Sequence, residues 1–326
     1  GAERACYMFA NKFAKDKNFK VYLFLNQKRG HYLKNLNANI EIVELFDIRN
    51  KYFNYISRKI SRFNFLSFLS LSIKLKKLNS NIIVSFAEWP NLYNGLSKHI
   101  FRHKTKCILF EQNVKTFIND YGYYGVSKLI NRLALISYSN ADKIFCCSED
   151  VLKEVKKNIL PKHSVVVYNP IDCKQIINVS FENTNNNFDP QCTNFVAIGR
   201  LAKQKDYPTM LKAFEEAYLI KKNITLYILG EGSEKYSLMK LASSLSSKEK
   251  IHFLGFIDNP LIYLRRADAL VHSALFEGFG NVFAEAMSVG TPILTTDCNT
   301  PREIIKNSLQ GIIVPIGDFK SLGESI

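Results

Sequence analysis

The sequence predicts an α/β protein built as two doubly wound, Rossmann-like domains facing each other. Short β-branched and aromatic runs alternate with longer mixed segments, as strands alternate with helices in a parallel sheet. That rhythm breaks once, in an Asn-rich stretch, and then restarts. A length of 326 residues also suits two domains of ordinary size.

In the first half, strands are expected at 20–25, 40–45, 81–86, 106–110, 143–147 and 164–168, with helices at 2–15, 52–78 (broken), 91–99, 124–139 and 149–157. The segment 172–193 holds Asn183, Asn185, Asn186, Asn187 and Pro190, shows no periodicity, and reads as a hinge and long loop. Strands then resume at 194–198, 223–229, 250–254, 268–272, 292–296 and 311–314. Helices fit between them at 206–219, 234–245, 259–266, 281–288 and 300–306. The expected domains are therefore 1–171 and 194–326. In sheets of this kind ligands bind beyond the carboxyl ends of the strands, so the strand-to-helix turns are where chemistry is sought.

Composition narrows the class. Apolar residues make up 47% and charged ones 22%, enough for sizeable cores. Seven cysteines form no Cys-x-x-Cys pair and no cluster with His, which argues against a disulfide framework or zinc site and suits a reducing, cytoplasmic setting. No apolar run reaches the ~18 to 20 residues of a membrane span. No signal peptide is visible; the chain opens at Gly1 as if inside a domain, so an upstream segment is expected.

The net charge of +15 is unevenly placed. Residues 1–170 carry 28 Lys and Arg against 12 Asp and Glu, while the remainder carries 16 against 17. An anionic partner for the first half alone would explain this: a lipid headgroup surface, a nucleic acid or a phosphorylated small molecule. A solvated basic face in a Lys- and Asn-rich chain is the plainer explanation. Without an aromatic-rich RNA motif or zinc finger, a nucleic-acid partner is not expected.

Three turns in the second half carry chemistry. Glu277-Gly278-Phe279-Gly280-Asn281 follows a strand and leads into a helix bearing Glu285. On one straight helix these two carboxylates would stand about 80° and ~12 Å apart. With Glu277 on the loop, both can reach one site at the helix N-terminus, where uncovered N–H groups and the helix dipole favour a diphosphate. Gly199-Arg200 ends another strand, with Lys205 shortly after, giving a bidentate fork and a point charge for the same anion. Gly230-Glu231-Gly232 lacks the third glycine of a dinucleotide fingerprint, since Lys235 stands there, and no P-loop exists. His252 and His272 lie on strands and read as structural.

The runs GRLAKQKDYPTMLKAF (199–214), LYILGEG (226–232), IHFLGF (251–256) and FEGFGNVFAEAMSVGTPIL (276–294) resemble the retaining GT-B glycosyltransferases of family 4. The likeness spans nearly all of 194–326 and continues more loosely through 141–149 and 165–172. It implies the GT-B fold, two domains across a cleft, with the first strand and the final crossover helix missing from this chain. It implies that Arg200 and Lys205 bind the donor diphosphate, with Glu277 against the sugar. The N–H groups from Phe279 to Asn281, behind Gly278 and Gly280, would meet phosphate or sugar; Glu285 would hold the ribose, and Gly255–Phe256 would meet the base. Gln112 stands where many relatives carry a His that contacts the donor sugar, and Asn299-Thr300-Pro301 replaces a turn that is one residue longer.

The implied reaction moves a sugar with retention, without cofactor or metal, from a nucleotide-sugar to a glycan or polyprenyl-phosphate-linked acceptor. The segment Thr295-Thr296-Asp297-Cys298 leans the donor toward UDP-hexose or UDP-N-acetylhexosamine. Two other readings share the fold: phosphorylase or epimerase chemistry, and a non-enzymatic polyanion-binding protein. The stretch 51–77 mixes Lys51, Arg58, Lys59, Arg62, Lys74, Lys76 and Lys77 with many apolar residues. Such a segment can lie on an anionic membrane surface, peripheral to the inner face, or pack as an ordinary amphipathic helix on its own sheet.

Overall fold

The computed structural model describes residues 1–26, 28, 30–45, 65–113, 126–158, 163–182 and 188–326. The chain divides into two compact units, Gly1–Pro170 and Ile171–Ile326.

The first unit runs α1 (Ala2–Ala14), β1 (Val21–Leu25), β2 (Ile40–Glu44), α2 (Phe65–Leu78), β3 (Ile82–Phe86) and α3 (Glu88–Phe101). It continues through β4 (Lys106–Glu111), α4 (Val126–Ser139), β5 (Lys143–Cys146), α5 (Glu149–Asn158) and β6 (Ser164–Val166). All its pairings are parallel: β1 with β2 in one small sheet, and β3-β4-β5-β6 in a second. Helix α1 packs against β1, β2 and β3, and Phe9 sets its ring 5.8 Å from Phe86 and 5.6 Å from Phe110. The expectation for 91–99 placed the helix start after Pro90. Helix α3 instead begins at Glu88, with Pro90 in the first turn, where its missing N–H removes no helical bond. Of the expected helix at 52–78, residues 52–64 lie outside those described. The remainder, α2, turns Phe68, Leu71 and Leu75 into the core and leaves Ile73, Lys76 and Lys77 outward. This part of the basic stretch packs on its own domain.

The second unit comprises α6 (Cys173–Ser180), β7 (Thr193–Ile198), α7 (Tyr207–Ile220), β8 (Ile224–Leu229), α8 (Lys235–Ser243) and β9 (Ile251–Gly255). Then come α9 (Leu261–Arg266), β10 (Ala269–His272), α10 (Asn281–Val289), β11 (Ile293–Thr296), α11 (Pro301–Ile304), β12 (Gly311–Val314) and α12 (Phe319–Ser325). The sheet order is β12-β11-β10-β7-β8-β9, all parallel. This is the doubly wound order in which β7 and β10 are neighbours and the chain reverses direction between them. Strand β8 is buried at every position, as expected of a sheet covered on both faces. Its residues alternate: Leu226 and Ile228 join one core with Phe195, Leu211 and Phe214, while Tyr227 and Leu229 join the other with Val196, Phe283 and Ile293.

Segment 172–193, expected as hinge and loop, contains helix α6. Asp172 caps it, its carboxylate accepting from the Gln175 N–H at 2.9 Å, and Ile176 is buried where α6 meets α9 and α10. An Asp followed three residues later by Gln is a helix-start signal that the Asn-rich remainder of the segment obscured. The four asparagines at 183 and 185–187 lie outside the described residues. Helix α12, also unforeseen, packs on α7, with Gly323 so close to the backbone of Ala213 that a Cβ would sit 2.8 Å from its carbonyl oxygen.

Candidate functional site

The reversal between β7 and β10 lies at the middle of the second sheet, and the two charged turns follow the carboxyl ends of these strands. Strand β7 ends in Gly199-Arg200 and a short 3-10 turn at Lys203–Lys205; β10 ends at His272 and passes into the loop carrying Glu277. The two loops are tied together through their backbones. The Leu275 N–H donates to the Gln204 carbonyl at 2.9 Å, and Gln204 Nε2 donates to the Phe276 carbonyl at 2.9 Å. Ser273 Oγ lies 2.9 Å from the carbonyl oxygens of both Lys205 and Asp206, sharing its one hydrogen between them. A third turn, after β11, holds Glu277 from behind. Its N–H donates to the Cys298 carbonyl at 3.0 Å, and Thr300 Oγ1 reaches the carbonyls of Glu277 and Gly278 at 3.3 and 3.0 Å.

The backbone therefore brings Lys205 and Glu277 together. The Lys205 ammonium donates to Glu277 Oε1, and His272 Nε2 lies 3.1 Å from the same oxygen. Glu277 is 8% exposed and His272 4%. Burial alone would raise the Glu277 carboxyl, but the charge of Lys205 and the His272 hydrogen bond outweigh it and bring the group down to about 2. Burial, and then the neighbouring Lys205 charge, lower the His272 imidazole, so it is neutral at ordinary pH. Phe283 meets the imidazole edge-on, 4.8 Å between centroids.

Arg200 is exposed on the turn beside this group, and its guanidinium has no partner among the described residues. The neighbouring glycines keep the turn open. Gly230 has φ +148°, and a Cβ there would sit 1.9 Å from the Gly199 carbonyl oxygen. Tyr207 braces the same carbonyl, its hydroxyl donating to Gly199 O at 3.2 Å. Helix α10 begins after Gly280, which has φ +69° and would drive a Cβ to 2.5 Å from the Phe283 ring. Phe279 packs inward, Asn281 is the first helical residue, and Glu285 is buried one turn further on. Gly255 and the exposed Phe256 end β9, at the edge of the sheet away from β10. His252, read as structural, stacks on Tyr227 at 5.0 Å. Sequence reasoning gave His272 the same structural role and missed its contact with Glu277.

The first unit has its own buried carboxyl at the carboxyl end of its sheet. Glu111 Oε1 accepts the N–H groups of Gln112 and Asn113 at 3.1 and 3.2 Å, and Oε2 accepts from the Tyr138 hydroxyl. The Gln112 side chain faces Asn169: each amide donates to the other, at 2.9 and 3.0 Å. Burial pushes the Glu111 carboxyl up to about 7, against the hydrogen bonds from Tyr138 and the two backbone amides.

Two units of parallel strands alternating with helices define an α/β protein of the two-domain, doubly wound kind. Two family models match: Glycosyltransferase Family 4 over residues 1–175, and Glycosyl transferases group 1 over residues 181–326. The chain belongs to glycosyltransferase family 4. The N-acetylgalactosamine-N,N'-diacetylbacillosaminyl-diphospho-undecaprenol 4-alpha-N-acetylgalactosaminyltransferase of Campylobacter jejuni is 28% identical over 270 residues, covering 80% of this chain and 71% of that protein. The lipopolysaccharide core biosynthesis glycosyltransferase LpsE of Rhizobium meliloti is 25% identical over 206 residues, 63% of this chain and 59% of that one. Among solved structures, Anabaena HepE in complex with UDP and glucose matches with TM-score 0.76 at 14% identity, over 99% of this chain and 84% of that chain. WaaG, a glycosyltransferase involved in lipopolysaccharide biosynthesis, matches with TM-score 0.71 at 15% identity, over 100% and 85%. At such identities these structures show the fold alone. Apart from the Campylobacter protein, the chain spans between 37% and 61% of the curated relatives it matches here.

The Glu111 environment carries a pH signature. A carboxyl raised by folding, here from 4.5 to about 7, favours the folded state fully below the unfolded value and loses that contribution as pH rises through the folded one. The stability difference between the native chain and Glu111→Gln should therefore shift against the native chain between these values, by at most about 3 kcal/mol. Chemical denaturation across this range measures it, and a difference that stays flat with pH contradicts it.

Proposed function

We propose that the chain transfers a sugar, with retention, from a UDP-hexose or UDP-N-acetylhexosamine to a glycan or polyprenyl-phosphate-linked acceptor in surface polysaccharide or glycoconjugate assembly. The observation that carries this is the placing of Arg200, Lys205 and the start of α10 around one ionised carboxylate at the reversal point of the sheet. As the sugar–phosphate bond breaks, charge accumulates on the departing diphosphate. Fixed positive groups there bind the transition state more tightly than the ground state. Arg200 supplies a fork, Lys205 a point charge, and the first N–H groups of α10 a dipole end, so the leaving group is met without a metal. Glu285 holds the ribose and Gly255–Phe256 meets the base.

Glu277 does not fit a general base. At about 2, clamped on one oxygen, it is too weakly basic to take a proton near neutral pH. It orients the donor sugar and answers developing positive charge at the anomeric carbon. The C. jejuni relative, named for a diphospho-undecaprenol-linked acceptor and for transfer of an N-acetylgalactosaminyl group, supports the acceptor class and donor type. HepE, which shares the fold, was solved with UDP and glucose, which makes UDP the first nucleotide to test.

A thermal-shift screen of UDP, GDP and ADP with their sugars, followed by nucleotide-release kinetics, tests the donor site. UDP and a UDP-sugar should raise the melting temperature. Arg200→Ala should cost about 2 to 4 kcal/mol of transition-state stabilisation without altering unfolding. Near-full turnover in that variant would remove the diphosphate assignment.

The excess positive charge of the first unit supports a second element of this reading: peripheral attachment to an anionic membrane at its cytoplasmic face. Lys76 and Lys77 on α2 point outward, and no helix among the described residues is long and apolar enough to cross a membrane. Each basic group near such a surface contributes about 1 kcal/mol and acts within a Debye length of ~10 Å. In liposome flotation the chain should rise with anionic vesicles at low salt and detach as salt increases. Binding indifferent to lipid charge and salt, or no binding, would argue for a soluble acceptor.

A further inference from the structure

Two donors converge on one oxygen of Glu277 and leave the other alone. Lys205 Nζ and His272 Nε2 both engage Oε1, and they lie 3.5 Å from each other. Among the described residues no side chain engages Oε2. A carboxylate only accepts, so His272 Nε2 must carry its hydrogen, and in a neutral ring Nδ1 is then the bare acceptor. Nδ1 faces the Cys298 thiol at 3.9 Å, a weak donor, and Thr295 Oγ1 at 3.4 Å, whose own hydrogen goes to the Thr296 carbonyl at 3.0 Å. The ring itself is buried under Phe283 and too deep to touch a substrate.

A lysine alone would not set the carboxylate's orientation. Its ammonium is a point charge on a flexible stem, and it tolerates rotation of the group it neutralises. A planar ring on a buried strand end adds a second donor whose direction is fixed. Being neutral, it adds that direction without changing the charge balance at the diphosphate. We infer that His272 is a positioning residue for sugar transfer, holding Glu277 so that Oε2 is the oxygen presented to a hydroxyl of the donor sugar. This inference rests on the glycosyltransferase reading given above. It names a residue that acts through Glu277 rather than on the substrate.

The test uses the whole chain as the native protein, His272→Leu and His272→Gln, with UDP for binding and the UDP-sugar that supports turnover for kinetics. UDP makes no use of Oε2, so His272→Leu should bind it within about twofold of the native chain, with an unchanged KM and a kcat lower by about a hundredfold. His272→Gln, whose side-chain amide can donate from nearly the same point, should recover at least about tenfold of that loss. An undiminished kcat in His272→Leu, or no recovery in a folded His272→Gln, overturns the inference. Should His272→Leu fail to fold, the 15N resonances of the native ring decide. A neutral ring protonated at Nε2 supports the assignment, and a ring protonated at Nδ1 refutes it. A native chain that turns over no nucleotide-sugar defeats the parent reading and this one with it, whereas turnover unchanged in His272→Leu defeats this one alone.

Discussion

The second unit is organised around one buried ion pair, Lys205 with Glu277. A carboxylate 8% exposed would ordinarily stay protonated, because removing its charge from water costs several kcal/mol. Here a lysine from the turn after β7 and a histidine from the end of β10 converge on it and keep it ionised. That arrangement requires two loops from strands adjacent in space but distant in sequence. The doubly wound order makes them neighbours, and Ser273, Gln204 and Thr300 then tie their backbones together. The parallel sheet, the tight glycine turns and the third loop after β11 all serve the geometry of one charged contact.

The contrast with Glu111 shows that environment, rather than residue type, sets the behaviour of a buried carboxyl. Both glutamates lie at carboxyl ends of parallel sheets, and both accept more than one hydrogen bond. Glu277 faces a full positive charge and falls to about 2; Glu111 has only dipolar donors and is pushed up to about 7. A tyrosine hydroxyl and two backbone amides cannot offset complete burial as an ammonium does. Glu111 accordingly holds a turn, with the reciprocal Gln112–Asn169 amide pair beside it, while Glu277 remains a charge available to chemistry.

Much of this was legible in the residues. Strand β8, ITLYIL, lies within the strand expected at 223–229, and the Gly199-Arg200 and Glu277-Gly278-Phe279-Gly280 turns follow strands as expected. Elements that depend on tertiary packing were harder to see. Helix α6 has only eight residues, so its periodicity is brief beside the asparagines that follow; its Asp172 cap was the available sign. Helix α12 is shorter still and carries a glycine, unfavourable in a helix except where, as at Gly323, another backbone passes close. His272 was read as structural and is buried, but its contact with Glu277 was not visible, because a strand-ending histidine announces only its burial. What it faces is decided by a loop five residues onward. The pairing of Lys205 with Glu277 crosses 72 residues of sequence and follows only from the strand order.

If this ion pair is the constraint on which the unit depends, its two members must be coupled in stability. A double-mutant cycle of Lys205→Met and Glu277→Gln, followed by equilibrium unfolding at neutral pH, reads that coupling directly. Removing either partner leaves the other buried and uncompensated, so each single variant should lose more than its share of the double variant's loss. A coupling energy of about 2 kcal/mol or more is expected. Single effects that add to the double effect within about 0.5 kcal/mol would show two independent surface charges and contradict it.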